Sequence, residues 1–319
     1  MLDSWNKLTF DAILTVVEQI TAKKLSNLVI QRNSYINRVY ELSIKNSDEK
    51  LIVKFYRPDR WTKEMILEEH RFLFKLAEAE LSVITPLVFN NDTLFEFSNI
   101  YFTVFPKMGG RAIDELTKER WIETGRLLGR MHLIGETISD SERVVWTPEE
   151  ATNISLDYLF ENGFIPEDYI EPLERVMDFF MLKANALFEQ ERLFVIHGDC
   201  HLGNLIHRPG EGMYIVDFDD MCVGPAIQDL WMLLPGTAEE CEQEISWFAE
   251  GYEVFRSFNY RSLDLIPMLK VMRIIHFASW CAMQSDDAHF EQHFPDWGTN
   301  QYWNQIIREI QENVYSEEE

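Results

Sequence analysis

Residues 195–206 read VIHGDCHLGNLI and residues 213–220 read MYIVDFDD. Short apolar runs on both sides of a polar loop ask for strands that bury their side chains and present the loop to solvent. His197, Asp199, His201 and Asn204 then share that loop. The simplest arrangement is a hairpin whose two strands flank it. The run MYIV must likewise be buried, which leaves Asp217, Asp219 and Asp220 at its open end. Crowded carboxylates repel one another, and a cation relieves the repulsion. An amide oxygen and one carboxylate, with room left for water and phosphate, suit Mg²⁺.

An H-x-D-x-x-x-x-N loop followed by a strand ending in D-F is the arrangement that kinases use. The loop Asp orients the acceptor hydroxyl, and the Asn and second Asp hold magnesium on the nucleotide phosphates. Asp199 and Asn204 have that five-residue separation. A kinase site also needs a cation for the α- and β-phosphates. Lys54 lies inside the apolar run LIVKFY, where an unpaired ammonium would be heavily penalised, so it requires a partner. Glu68 and Glu69 on the following helix could each reach it. No glycine-rich phosphate loop is present, but Ser34 and the backbone from Asn33 to Tyr35 can donate to a phosphate at a tight turn.

The rest of the chain supplies a frame. A helix is expected at 10–20, strands at 37–44 and 51–56, a helix at 61–79, and strands at 87–89 and 100–105. FPKMGGR, residues 105–111, interrupts the pattern with a proline and paired glycines. Beyond it, helices are expected at 118–132, 167–189, 226–234, 239–255 and 263–283, broken by a β-rich patch at 194–216. Residues 1–105 thus form a small sheet-bearing lobe, 106–111 a hinge, and 112–319 a larger helical lobe.

The formal charge of −25 is uneven. It splits into −1 for residues 1–105 (13 basic, 14 acidic) and −24 for the remainder (16 basic, 40 acidic). Such a surface repels nucleic acid and anionic membranes. It attracts a small cation and a basic peptide alike. The four cysteines are scattered, without a C-x-x-C pair, which excludes a disulfide framework or zinc site and fits a reducing compartment. No basic, apolar leader opens the chain, and its longest uncharged stretch, 274–285, has 12 residues against the ~20 of a membrane span. A soluble, cytoplasmic monomer is expected.

These motifs resemble those of the aminoglycoside phosphotransferase and choline kinase superfamily, which carries HGD-x-H-x-x-N and a later D-F/W and D-L. More narrowly, RNSYINRVYEL, VKFYRPDRW, ILEEH, FPKMGGR, LLGRMH, HGDCHLGN and GPAIQDLWML are similar to strings of the bacterial stress response kinase family of serine/threonine protein kinases. The resemblance spans residues 26 to 235. It implies an α+β, protein-kinase-like two-lobed fold and an ATP- and Mg²⁺-dependent transfer to a hydroxyl of a protein Ser/Thr acceptor, with a small cationic amino alcohol or aminoglycoside as the alternative. It further implies Asp199 as base, with Asn204 and Asp217 as metal ligands. Lys54 with Glu69, preferred to Glu68, belongs at the phosphates, Ser34 at the nucleotide, and Asp229 behind the catalytic loop. The chain departs from protein kinases in reading DFD for D-F-G, and the twelve steps from Asp217 to Asp229 leave no room for an activation loop. His201 and His132 are expected to brace the loop and to pack, respectively. The cluster Trp231, Met232, Leu233, Trp280, Cys281 and Met283 is expected in the core.

Overall fold

The computed structural model describes residue 5, residues 7–287 and residues 289–315; the acidic SEEE segment lies outside them. Helix α1, Phe10–Thr21, starts where the Thr9 side chain accepts from the Ala12 N–H and buries Ile13, Val16 and Val17. Strands β1 (Leu25–Arg32), β2 (Arg38–Ile44) and β3 (Lys50–Phe55) follow. Helix α2, Lys63–Glu78, is capped by the Thr62 side chain. Strands β4 (Phe95–Phe97) and β5 (Ile100–Pro106) complete an antiparallel sheet in the order β1-β2-β3-β5-β4. β3 is the central strand, which is why LIVKFY lacks the alternation of a half-exposed strand. Residues 87–89 are not a strand. Leu87 N–H reaches the Val104 carbonyl, but Asn90 and Asn91 take left-handed backbone and turn the chain, and the edge falls to β4.

β6 is only Arg111–Ala112, and helices α3 (Lys118–Gly135), α4 (Asn153–Glu161) and α5 (Glu167–Phe188) follow it. Then come β7 (Leu193–Ile196), β8 (Leu205–Arg208), β9 (Gly212–Ile215), β10 (Cys222–Pro225) and the short helix α6 (Gln228–Trp231). Helices α7 (Glu242–Tyr252), α8 (Ile266–Gln284), α9 (Phe290–His293) and α10 (Asn300–Tyr315) complete the chain. α4, α9 and α10 were not expected, and the helix expected at 226–234 shrinks to one turn. The expected hairpin is also absent, because β7 pairs with β10 whereas β8 pairs with β9 and β6. The loop at 197–204 therefore connects two sheets.

Two cores result. Leu42, Val53, Phe55, Phe102 and Val104 pack with Ile13 and Val17 under the five-stranded sheet. Phe72, Leu73 and Leu76 of α2 instead join the larger core of the helical part, so α2 belongs to the sheet by sequence and to the helices by packing. The stretch Tyr260–Gln284 is long and apolar enough to cross a membrane, but most of it is buried inside this core.

α3 and α7 cross on glycines. A Cβ at Gly125 would stand 2.1 Å from the Phe248 carbonyl oxygen, and one at Gly251 would stand 1.9 Å from that of Ile122. Both obstacles are backbone, so neither can rotate away. We expect Gly251→Ala to lower stability by about 3 kcal/mol, at the upper end of overpacking costs, while Gly109→Ala, with nothing within 4 Å, is neutral. Denaturant melts of the two variants check this.

His70, 1% exposed on α2, bonds to the Tyr56 hydroxyl at 3.2 Å and to Thr93 Oγ1 at 2.8 Å. Burial, then the Lys54 and Arg71 charges, push its ring down to about 3. The unfolded chain binds a proton there near pH 6.5 and the fold does not, so this residue's contribution to stability falls as pH drops below 6.5. The expected slope from this residue is about 1.4 kcal/mol per pH unit, and the pH dependence of melts between pH 6.5 and 5 should differ by that amount between the wild type and His70→Gln.

Candidate active site

A cleft of about 800 Å³ opens between the five-stranded sheet and the helical part, and Ser34, Lys54, Glu69, Asp199, Asn204 and Asp217 all line it. They reach it from five places in the chain, Asp199 and Asn204 sharing the 197–204 loop. Ser34 is exposed at the β1–β2 turn. Lys54 lies on β3 opposite Val39 and Thr103, 8% exposed. Its Nζ stands 2.9 Å from Asp219 Oδ1, 3.3 Å from Asp217 Oδ1 and 3.9 Å from Glu69 Oε1. Glu69 rather than Glu68 faces it. Glu68 instead accepts from the Ser141 hydroxyl and, at 2.9 Å, from the Glu142 N–H.

Asp219 is the unexpected member. It is 4% exposed and also pairs with Arg60 and accepts from Asn37 Nδ2 at 3.2 Å. Burial alone would raise its carboxyl, but the Lys54 and Arg60 charges hold it well below the carboxylate range. Burial disfavours the Lys54 ammonium, yet Asp219, Glu69 and Asp217 keep it charged well above the usual lysine range. Burial pushes the Glu69 carboxyl up to about 7 against the opposing pull of the Lys54 ammonium.

Behind the loop sits Asp229, fully buried. Its Oδ2 accepts from the His197 N–H and its Oδ1 from the Gly198 N–H, each at 2.8 Å. His132 Nε2 lies 3.0 Å from Asp229 Oδ2, and His132 Nδ1 lies 2.8 Å from the Tyr252 hydroxyl. With its proton on Nε2, the ring donates to the carboxylate and accepts from tyrosine. His132 is therefore a bridge from α7 to the loop, not merely a packed residue. Gly198 has φ +84°, and a Cβ there would meet the Asp220 carbonyl at 2.3 Å.

In front of the loop, Asp199 Oδ1 pairs with Arg273 Nη1 at 2.9 Å and Oδ2 lies 3.5 Å from His201 Nε2. Burial would raise the Asp199 carboxyl, but the His201 hydrogen bond and the Arg273 charge outweigh it and hold it at about 2. His201 Nδ1 accepts from the Gly203 N–H at 3.0 Å and thus braces the loop. Asn204 donates through Nδ2 to the Asp199 carbonyl at 2.9 Å, which leaves its Oδ1 as the remaining donor atom for a cation. Asp217 has left-handed backbone, φ 64° and ψ 68°, and a side chain 57% exposed. Among the described residues no three or more His, Cys, Asp or Glu side chains cluster as a metal site. One amide oxygen and one open carboxylate fit a Mg²⁺ that completes its shell with phosphate and water.

Asp219, Arg60, Arg273 and Tyr252 were missed from sequence. The DFDD run flagged the first only as one carboxylate of three, and no local signal marks the others. Trp280, expected in the core, lines the cleft, and Met283 is exposed.

The family model described as "Phosphotransferase enzyme family" matches residues 29–266. Stress response kinase A of Escherichia coli (strain K12) is 36% identical over 277 residues, covering 85% of this chain and 82% of the relative. The serine/threonine protein kinase RdoA of Salmonella typhimurium (strain LT2) is 34% identical over 281 residues, with the same coverages. The chain therefore belongs to the phosphotransferase enzyme family, in its stress response kinase A branch. It is a kinase with an α+β, two-lobed kinase-like fold. Among solved structures, amicoumacin kinase in complex with AMP-PNP, Ca²⁺ and Ami superposes with a TM-score of 0.73 at 19% identity, covering 95% of this chain and 93% of that one. Spectinomycin phosphotransferase in complex with ADP gives 0.65 at 14% identity, with coverages of 94% and 97%.

Removing the Asp229 charge should disorganise the loop from behind. Asp229→Asn is expected to cost about 3 kcal/mol, the penalty of disturbing a buried, charge-assisted network, and to lower kcat in parallel. Thermal unfolding and turnover measured on one preparation check both effects.

Proposed function

We propose that the protein is an ATP- and Mg²⁺-dependent serine/threonine protein kinase, acting as a cytoplasmic monomer. The observation that carries the reading is the convergence of Lys54 from β3, Asp199 and Asn204 from the 197–204 loop, and Asp217 from the end of β9 on one cleft, in a chain 36% identical to stress response kinase A. In this reading residues 1–105 form the nucleotide lobe, 106–111 the hinge and 112–319 the acceptor lobe. Lys54, oriented by Glu69, binds the α- and β-phosphates, exchanging part of its contact with Asp219 and Asp217 for phosphate oxygens. Ser34 donates to the nucleotide from the β1–β2 turn. Asn204 Oδ1 and Asp217 hold Mg²⁺, which when bound neutralises phosphate charge. Asp199 takes the proton of the acceptor hydroxyl as the γ-phosphoryl passes to that oxygen and ADP leaves.

A second reading, transfer to a small hydroxyl compound, is favoured by the span of only twelve steps between Asp217 and Asp229, too short for a peptide-docking activation loop. The two are separated by incubating the protein with labelled ATP and either a protein mixture or a panel of hydroxyl metabolites. Label confined to small molecules overturns the first reading. For either acceptor, Asp199→Asn should lower kcat by about 10³-fold, within the usual range for a general base, and leave nucleotide affinity within about threefold. Turnover near the wild-type rate would remove Asp199 from the chemistry.

A further inference from the structure

Beside Asp199, and sharing His201 and Arg273 with the nucleotide cleft, runs a second groove of about 480 Å³. Its walls are His201 from the loop, Trp231 and Met232 at the end of α6, Pro235, and Lys270 and Arg273 from α8. Lys270 and Arg273 are one helical turn apart and share a face of α8. Residues 106–319 carry a formal −24 (16 basic, 40 acidic), yet the wall next to the catalytic loop is cationic.

One acidic side chain, Glu240, also lines the groove and accepts from the Thr237 N–H at 3.0 Å, and Glu239 is within electrostatic range of Lys270 without forming an ion pair. Among the described residues Lys270 has no carboxylate within 4 Å, and Arg273 has only Asp199. That last contact occupies Asp199 Oδ1, while His201 stands against Oδ2. Each Asp199 oxygen thus already faces a basic side chain that competes with an incoming hydroxyl for it.

We propose that this groove binds an acidic segment of the protein acceptor, whose carboxylates engage Lys270 and Arg273 and in doing so draw Arg273 off Asp199. The proposal rests on the protein-kinase reading and specifies its substrate class. Trp231, Met232 and Pro235 give the segment an apolar floor, and the two cations give it register. Once Arg273 has an acceptor carboxylate as partner, Asp199 Oδ1 accepts the Ser or Thr hydroxyl proton, that oxygen takes the γ-phosphoryl of ATP, and ADP departs. A basic segment, which the net charge of the lobe would favour at long range, meets two like charges at the point of transfer.

The test uses the full chain, ATP and three serine peptides of one sequence, differing only in whether glutamate, glutamine or lysine flanks the serine. The glutamate peptide is expected to exceed the glutamine peptide at least tenfold in kcat/KM, with the lysine peptide poorest. Lys270→Glu should move the preference at least tenfold toward lysine and leave the KM for ATP unchanged. Arg273→Gln should lose discrimination between glutamate and glutamine, and Arg273→Lys should restore part of it, which loss of packing alone cannot produce. A thermal transition recorded for each variant separates altered preference from unfolding, and Lys270→Gln serves if the reversal does not fold. Equal use of the three peptides, a lysine preference in the wild type, or an acidic preference that survives Lys270→Glu overturns the groove assignment and leaves the kinase reading intact. Failure to label any peptide while small hydroxyl compounds are labelled overturns both.

Discussion

The carboxylate of Asp229, buried where no water can reach it, accepts two consecutive backbone N–H groups, from His197 and Gly198, and so fixes the chain immediately before Asp199. A buried charge persists only when its lone pairs are filled, and His132 supplies the third donor. His132 is in turn set by the Tyr252 hydroxyl on α7. α7 lies close enough to α3 for this because Gly125 and Gly251 remove the side chains that would hold the helices apart. Helix packing far from solvent thereby determines where one loop carboxylate stands.

A second network joins the two parts across the cleft. Lys54 from the sheet and Arg60 from the turn after it both reach Asp219. Arg143 holds the same segment from the other side, through the carbonyls of Asp219 and Met221. Farther out, Arg57 pairs with Asp287 at 2.9 Å and Tyr35 packs against Trp280 and Phe294. The segment after Asp217 is thus pinned by three cationic side chains. In Lys54, part of that fastening is the cation assigned to the phosphates.

Much of this was legible because a few residues contradicted their surroundings. A lysine in the middle of LIVKFY, polar residues at fixed spacing between apolar runs, and an apolar strand ending in carboxylates each demand a specific resolution. Strand partners are different, since an apolar run carries no label naming its neighbour. β7 was expected to pair with β8 because they are adjacent in sequence, yet long-range register gave β7 to β10. Which of Asp217, Asp219 and Asp220 turns inward is set by a single helical turn at 218–220, below what spacing can resolve. Arg273 reaches Asp199 across 74 residues with no local mark. α10 is the exception, since Trp303, Ile306, Ile307, Ile310 and Val314 do recur at helical spacing.

The left-handed backbone at Asp217 has an evolutionary side. Asparagine and glycine tolerate that conformation but give up the charge; glutamate keeps the charge but lacks the short side chain that makes the conformation accessible. No single replacement preserves both properties. In sequence space this position therefore has no neighbour that keeps both the charge and the turn.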